Sequence, residues 1–377
     1  MADGYPVVVV TGPRQSGKTT LCLETFSGRP YASLEDPDVR RFALEDPRAF
    51  LEQFPDGGLL DEIQRAPELL SYLQGIVDRD GRPGLFVLTG SQQLDVLAGV
   101  SQTLAGRAAL LTLLPFSLSE LTGGLRPGSV EELLHRGLYP PIYDRDLEPR
   151  GWYGHYVQTY VERDLRQLVN VRDLASFQTF LRLCAGRTGQ LVNLSGLAGD
   201  CGITHNTAKA WLSALEASFI VTRLKPHFRN FGKRLIKTPK LYFLDPGLAA
   251  WLLEIGDAGQ LRSHPLRGPL FESWVVGELL KGRANAGLAS NLYFWRDRSG
   301  LELDCLLDRG TSLVPVEVKS AKTVPAEAFQ APGRFAELAG AEAAPAWIVY
   351  GGDRLERRGP GTVLPWARIG ELVERNL

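Results

Sequence analysis

The sequence predicts an α/β fold in three parts. A parallel-sheet core carries a phosphate-binding loop, a helical lid leads into a winged helix-turn-helix, and a second α/β domain closes the chain. Three observations predict it. A β-branched run, Val7 to Val10, passes directly into a glycine-rich loop and then a helix-forming stretch. Between Leu194 and Ala217 a short helix, a glycine stop and a second helix follow one another. Beyond Asn291, three strand-like runs place carboxylates and a lysine on one sheet face.

Length and composition bound the rest. At 377 residues the chain is too long for one ordinary domain, and the expected boundaries are 1–122, 123–262 and 263–377. A formal net charge of -1 means that any basic surface must be local. Cys22, Cys184, Cys201 and Cys305 are scattered with no C-x-x-C pair, which speaks against a zinc knuckle or disulfide framework and fits a reducing compartment. No apolar run reaches the roughly 20 residues needed to span a bilayer, and the first residues lack a basic leader. A cytoplasmic protein without a membrane partner is expected.

The run Gly12-Pro13-Arg14-Gln15-Ser16-Gly17-Lys18-Thr19 fits G-x-x-x-x-G-K-[ST], with Thr20 opening the helix behind it. Successive backbone N–H groups in such a loop form an anion nest, reinforced by the helix N-terminus. Lys18 would reach the β- and γ-phosphates and Thr19 would ligate Mg²⁺. ATP and Mg²⁺ are therefore the expected cofactors. "GGLLDEIQ" supplies Asp61 for the metal and Glu62 to polarise the attacking water. "LFVLTGSQQ" is a further buried strand, after which Ser91 or Gln92 either senses the γ-phosphate or caps the next helix. Arg107 stands where a helix ends and a strand, Ala108 to Leu114, begins. There it either complements the helix C-terminus or reaches a neighbour's nucleotide.

The ordered set "TGPRQSGKTT", "SLEDPD", "LLDEIQRAPEL", "VLTGSQQ", "LAGR" and "LLPFSLSEL" closely resembles a prokaryotic AAA-type ATPase family with a characteristic C-terminal domain of unassigned function. The resemblance covers essentially the whole chain. It implies that Arg107 is an inter-subunit arginine finger and that the protein forms homo-oligomeric rings or ATP-bridged assemblies, a hexamer being one such ring. The interval from Lys18 to Asp61 is shorter than in many AAA motors.

In the middle of the chain, Tyr156, Tyr160, Leu165 and Leu168 share a helical face, and Arg163 either approaches the nucleotide or pairs with a neighbouring acid. In the helix-turn-helix, Gly202 stops a helix running from Leu194 to Asp200. Thr204 or Asn206 caps a second helix whose apolar face is Ala210, Leu212, Leu215 and Phe219. His205, Asn206 and Lys209 then lie at the exposed end that a recognition helix presents to a groove. The hairpin that follows carries Lys225, Arg229, Lys233, Arg234, Lys237 and Lys240 with no acid before Asp245. A wing of that charge would neutralise DNA phosphates without reading sequence; the alternative is a protein-docking face.

Residues 269–284 read as an amphipathic helix with Glu272 near its start. Three antiparallel strands follow, with Asp304 in the second and Glu317 and Lys319 in the third. This arrangement resembles the PD-(D/E)xK nuclease, or restriction-endonuclease-like, fold, with "LELD" where that family has Pro-Asp. The resemblance implies that Asp304 and Glu317 hold Mg²⁺, that Lys319 orients the water and that Glu272 assists. The alternative is a Lys–Glu surface pair. The expected function is thus an ATP-hydrolysing DNA motor or junction-remodelling protein. An ATP-dependent nuclease, or a regulatory switch that docks a protein partner, are the alternatives.

Overall fold

The computed structural model describes residues 1–91, 100, 102–161, 173–227, 237–359 and 361–377, and these divide into two compact units, Met1–Pro115 and Phe116–Leu377. In the first unit the valine run is the central strand. β1 (Val7–Thr11), β2 (Tyr31–Ser33), β3 (Gly58–Asp61), β4 (Phe86–Gly90) and β5 (Ala108–Thr112) form one sheet in the order β2-β3-β4-β1-β5. Every pairing in it is parallel. Val7 and Val9 pack into one apolar cluster while Val8 and Val10 pack into another, so both faces of β1 are covered. That double coverage is why the strand is unbrokenly apolar.

β5 stops two residues short of the expected Leu114, although Leu113 N–H still bonds Thr11 O at 2.8 Å. The helices Pro37–Glu45 and Pro47–Glu52 each start on a proline behind an aspartate cap, Asp36 and Asp46. Because the sheet is parallel, the C-terminal ends of β1, β3 and β4 open on one edge, where ligands bind in such sheets.

The second unit is helical at its start and sheet-rich at its end, and its largest hydrophobic cluster draws on residues from Leu118 to Leu372. Trp152 stacks on Tyr156 at 4.9 Å, and Tyr156 is buried beside Tyr139. The face expected to continue through Leu165 and Leu168, with Arg163, lies outside the described residues. The helix pair is Leu194–Asp200 and His205–Ala217. Its buried face is Ala208, Trp211, Leu212 and Leu215, whereas Ala210, expected inside, is exposed. The large Trp211 sets the phase of the helix, packing edge-on against Phe177 and Phe180. β6 (Gln190–Leu191), β7 (Val221–Leu224) and β8 (Lys240–Phe243) form a three-stranded antiparallel sheet with β8 central.

The helix Arg267–Asn285 is not amphipathic. Leu270, Phe271, Trp274, Val275, Val276 and Leu279 are buried, and so are its charged residues Glu278 and Lys281. It runs through the middle of the unit, so polarity on it must be paired rather than solvated. The last sheet holds β9 (Leu292–Arg296), β10 (Glu302–Asp308), β11 (Leu313–Lys319), β12 (Ala346–Tyr350), β13 (Glu356–Arg358) and β14 (Gly361–Pro365) in the order β13-β14-β12-β11-β10-β9. β9, β10 and β11 are antiparallel as expected, and β11, β12 and β14 are parallel. Among the described residues no helix is long and apolar enough to cross a membrane.

Glu278 and Lys281 form a buried ion pair at 3.2 Å; Glu278 also accepts from Leu118 N–H at 2.8 Å and Lys281 donates to Phe116 O at 2.8 Å. Burial pushes the Glu278 carboxyl up from its ordinary range. Lys281→Ala strands that carboxylate and is expected to cost about 3–5 kcal/mol in chemical denaturation. Glu278→Gln combined with Lys281→Met is expected to cost less than Lys281→Ala alone.

Candidate functional site

The loop after β1 is shaped by backbone conformations that few residues tolerate. Gly12 has φ +149°, and a Cβ there would stand 2.0 Å from Leu113 O, so no side chain fits. Gln15 and Gly17 are left-handed, curling the loop as anion nests require. Lys18 begins the helix Lys18–Thr25 and is buried, its ammonium donating to Gly12 O at 3.1 Å and Pro13 O at 2.7 Å. Burial pushes it down to about 8, against the opposing pull of Glu62 and Asp61. Ser16 Oγ is buried without a hydrogen-bond partner among the described residues. Arg14 pairs with Glu35 at 3.6 Å.

Asp61 closes β3 and gathers three hydroxyls. Thr19 Oγ1 donates to its two oxygens at 3.0 and 3.1 Å, Tyr31 donates at 3.1 Å, and Thr89 forms a short bond. Thr19 and Asp61, the two expected metal-binding residues, are therefore in contact. A hydroxyl and a carboxylate side by side, beside a cradle with an orphaned Ser16 hydroxyl, fit a hard cation and a phosphate. Glu62 is left-handed, at φ 56°, and its N–H is tied to Thr89 Oγ1 at 3.1 Å. Its carboxylate accepts from Ser91 Oγ at 3.0 Å and from Gln64, which also reaches Ser91 at 3.2 Å. Ser91 thus holds Glu62; Gln92 lies outside the described residues. Arg107 is bound to Asp78 of its own chain and to Ala105 O, with its side chain 35% exposed. Thr20 lies on the first turn of the helix.

A second concentration of charge lies in the other unit. Asp304 on β10 accepts from Val318 N–H at 2.8 Å, and Glu317 on β11 pairs with Lys319 at 2.5 Å. Glu317 is 6% exposed, and its Oε2 has no partner among the described residues. Burial, then Glu272 and Glu317, hold the Asp304 carboxyl well above its usual range. Glu317 is also raised, by burial first, with Lys319 opposing. The structure therefore brings together Glu272, Asp304, Glu317 and Lys319. Among the described residues no three His, Cys, Asp or Glu side chains converge as a ready-made metal ligand set.

Three members of this cluster were missed in the sequence. Lys240, read as part of the basic wing, is 3% exposed and points inward, 3.0 Å from Glu272 and 2.5 Å from Glu302. Tyr242 OH donates to Glu272 at 2.6 Å. The two-residue period of a strand, which puts Lys240 and Tyr242 on one face, was the available signal. Of the remaining basic and recognition-helix residues, His205, Asn206, Lys209 and Lys237 are exposed. Thr204 Oγ1 caps the second helix by accepting from Thr207 N–H at 3.1 Å. Arg229, Lys233 and Arg234 lie outside the described residues.

Residues 4–122 match an AAA domain family. Two uncharacterized proteins, one of Mycobacterium tuberculosis and one of Mycobacterium bovis, are each 33% identical to this chain over 322 residues, 84% of this chain and 71% of theirs. The chain belongs to their family. It is a P-loop AAA-type ATPase. In this AAA-type ATPase, residues 128–259 and 267–369 match two domains of unknown function, DUF8612 and DUF4143. Among solved structures, the Walker-type ATPase PABY2304 of Pyrococcus abyssi is similar at TM-score 0.34 and 16% identity, over 66% of this chain and 91% of that one. A STAND protein with a tetratricopeptide repeat sensor, PH0952 of Pyrococcus horikoshii, is similar at TM-score 0.21 and 12% identity, over 77% and 47%. Neither superposition is close enough to carry an argument.

The Lys18 position gives a pH-dependent expectation. A group titrating at about 8 is partly neutral at that pH, and a phosphate beside it favours the charged form. ATP binding near pH 8 should therefore take up protons, and near pH 6 this group should contribute none. Calorimetry in two buffers of different ionisation enthalpy measures the uptake, which Lys18→Met should abolish.

Proposed function

We propose that this AAA-type ATPase is an oligomeric DNA-binding protein, a motor or junction-remodelling enzyme whose C-terminal sheet carries a metal-dependent, nuclease-like site. The observation that carries this reading is the meeting of Glu272, Asp304 and Lys319, all half-buried, with the buried carboxylate of Glu317. Carboxylates with an adjacent lysine are a means of acting on phosphodiesters, because the acids hold a hard cation and the lysine steadies a water. The orphaned Glu317 Oε2 supports the fit, since a buried carboxylate oxygen wants a cation or a donor. Asp304 and Glu317 would hold Mg²⁺ there.

At the ATPase site the loop from Gly12 to Thr20 would cradle the phosphates and Lys18 would cover them. Thr19 would ligate Mg²⁺, with Asp61 behind it. The cation held by Thr19 and Asp61 would supply positive charge against the phosphate oxygens. Glu62 would orient and deprotonate the attacking water, and Ser91, bonded to it, would aim it. Arg107 would leave Asp78 to serve a neighbouring subunit. We further read the helix pair and the hairpin after it as a winged helix. His205, Asn206, Lys209 and Lys237 would face DNA there, with Arg229, Lys233 and Arg234 completing the basic wing.

Two expectations test the reading. ATP hydrolysis should fall about a thousandfold in Arg107→Ala at equal protein concentration, the effect of a lost arginine finger; an undiminished rate removes the shared site. Duplex or forked DNA should stimulate hydrolysis, and Lys209→Ala with Lys237→Ala should lower the salt slope of DNA binding by about 2. Cleavage that is lost in Asp304→Ala and Lys319→Ala while ATP hydrolysis persists would make the cluster a working nuclease site. Indifference to every DNA would point instead to a switch that docks a protein partner.

A further inference from the structure

Lys240 sits where the cluster's charge demands a cation. Among the described residues, the four carboxylates of Glu272, Glu302, Asp304 and Glu317 are met by three cationic side chains, Lys240, Lys319 and Arg296. Excess negative charge held away from water is costly, and proteins relieve it by protonation or by a bound cation. Asp304 is held by the Val318 N–H, which donates to it at 2.8 Å. Lys240 supplies relief of the second kind. Its side chain is almost wholly buried, and it comes from β8, a strand of a different sheet from Asp304 and Glu317. Burial pulls it down, but Glu272, Asp304 and Glu302 more than offset that, so it stays charged.

Two details separate Lys240 from an ordinary structural ion pair. Its carboxylate partners keep other contacts: Glu272 accepts from Tyr242, and Glu302 lies 3.8 Å from Arg296. Glu317 Oε2, by contrast, is buried in the same cluster with no hydrogen-bond donor among the described residues. Lys240 thus covers the Glu272 side of the cluster and leaves on the Glu317 side an oxygen suited to a cation.

We propose that Lys240 is a built-in competitor for the divalent cation of this cluster: while its ammonium lies between Glu272 and Glu302, Glu272 cannot join Asp304 and Glu317 around a metal ion. Withdrawal of Lys240 frees Glu272 and removes one positive charge, and both changes favour the ion. This inference rests on the reading of the cluster as a cation site. It adds that the site is held closed from β8, the strand that follows the hairpin read above as the DNA-facing wing.

The test is Mn²⁺ binding to the full chain without nucleotide, followed by the electron paramagnetic resonance signal of the free ion. Parent, Lys240→Met, Lys240→Arg, and Lys240→Met combined with Asp304→Asn are compared. The last variant identifies which binding belongs to this cluster rather than to Thr19 and Asp61. Lys240→Met is expected to bind Mn²⁺ about tenfold or more tightly than the parent, as removal of a like charge at short range implies. The gain should vanish with Asp304→Asn, and Lys240→Arg should behave as the parent. Equal, Asp304-dependent binding in parent and Lys240→Met overturns the role of Lys240 and leaves the cation site standing. Asp304-independent binding in every variant overturns both. Should Lys240→Met not fold, Glu302→Gln loosens Lys240 without touching the proposed ligands; it is expected to raise affinity several-fold, and an unchanged affinity counts against the proposal.

Discussion

Asp61 accepts hydrogen bonds from Thr19, Tyr31 and Thr89, and this one carboxylate ties together the parts of the first unit that matter. Thr19 belongs to the helix after the phosphate loop, Tyr31 to the edge strand β2, and Thr89 to β4. The loop therefore does not hang from β1 alone. A hydroxyl donating to a carboxylate is a charge-assisted bond, stronger than a neutral one, and three of them converge where the strand ends open. Thr89 extends the same set by taking the N–H of Glu62, which holds that residue in a left-handed conformation that glutamate otherwise avoids.

The second unit solves the opposite problem. Its long helix Arg267–Asn285 is enclosed by the core on more than one side, so Glu278 and Lys281 are ionisable groups in apolar surroundings, while Glu272 is half-buried among polar partners. Each is bonded at short range, Glu278 and Lys281 to one another and to backbone, Glu272 to Lys240 and Tyr242. The first pair fastens the start of the unit to the helix. The second set ties β8 to the helix, and Lys240 also reaches Glu302 on β10 of the last sheet, where Pro226 bridges to Phe294.

What could be read from the sequence was what depends on local order. The glycines and lysine of the phosphate loop, the Asp-Glu pair ending β3 and the Thr204-capped helix are each specified by neighbours in the chain. Their limits fall within a residue or two of expectation. The inward turn of Lys240 was illegible because its partners, Glu272 and Glu302, lie on a helix and a strand far along the chain. Among a row of lysines and arginines it looked like one more solvated charge. The phase of the helix His205–Ala217 was misjudged for a related reason: Ala210 is apolar by type but small, and the bulk of Trp211 decided which face turned in. Burial of the helix Arg267–Asn285 on more than one side was masked by its glutamates and lysine, which imitate a polar face.

Gly12 has a consequence for how force could reach the nucleotide loop. Its missing side chain lets the Leu113 carbonyl lie directly against the loop, and Leu113 N–H is bonded to Thr11 O at 2.8 Å. The floor of the phosphate cradle is thus the backbone that prolongs β5, the outer strand of the sheet, and the chain leaves the first unit only two residues later, at Pro115. A pull transmitted along that exit would arrive at Gly12 of the loop through main chain alone. The floor of the cradle and the chain that leaves the first unit are one continuous piece of main chain.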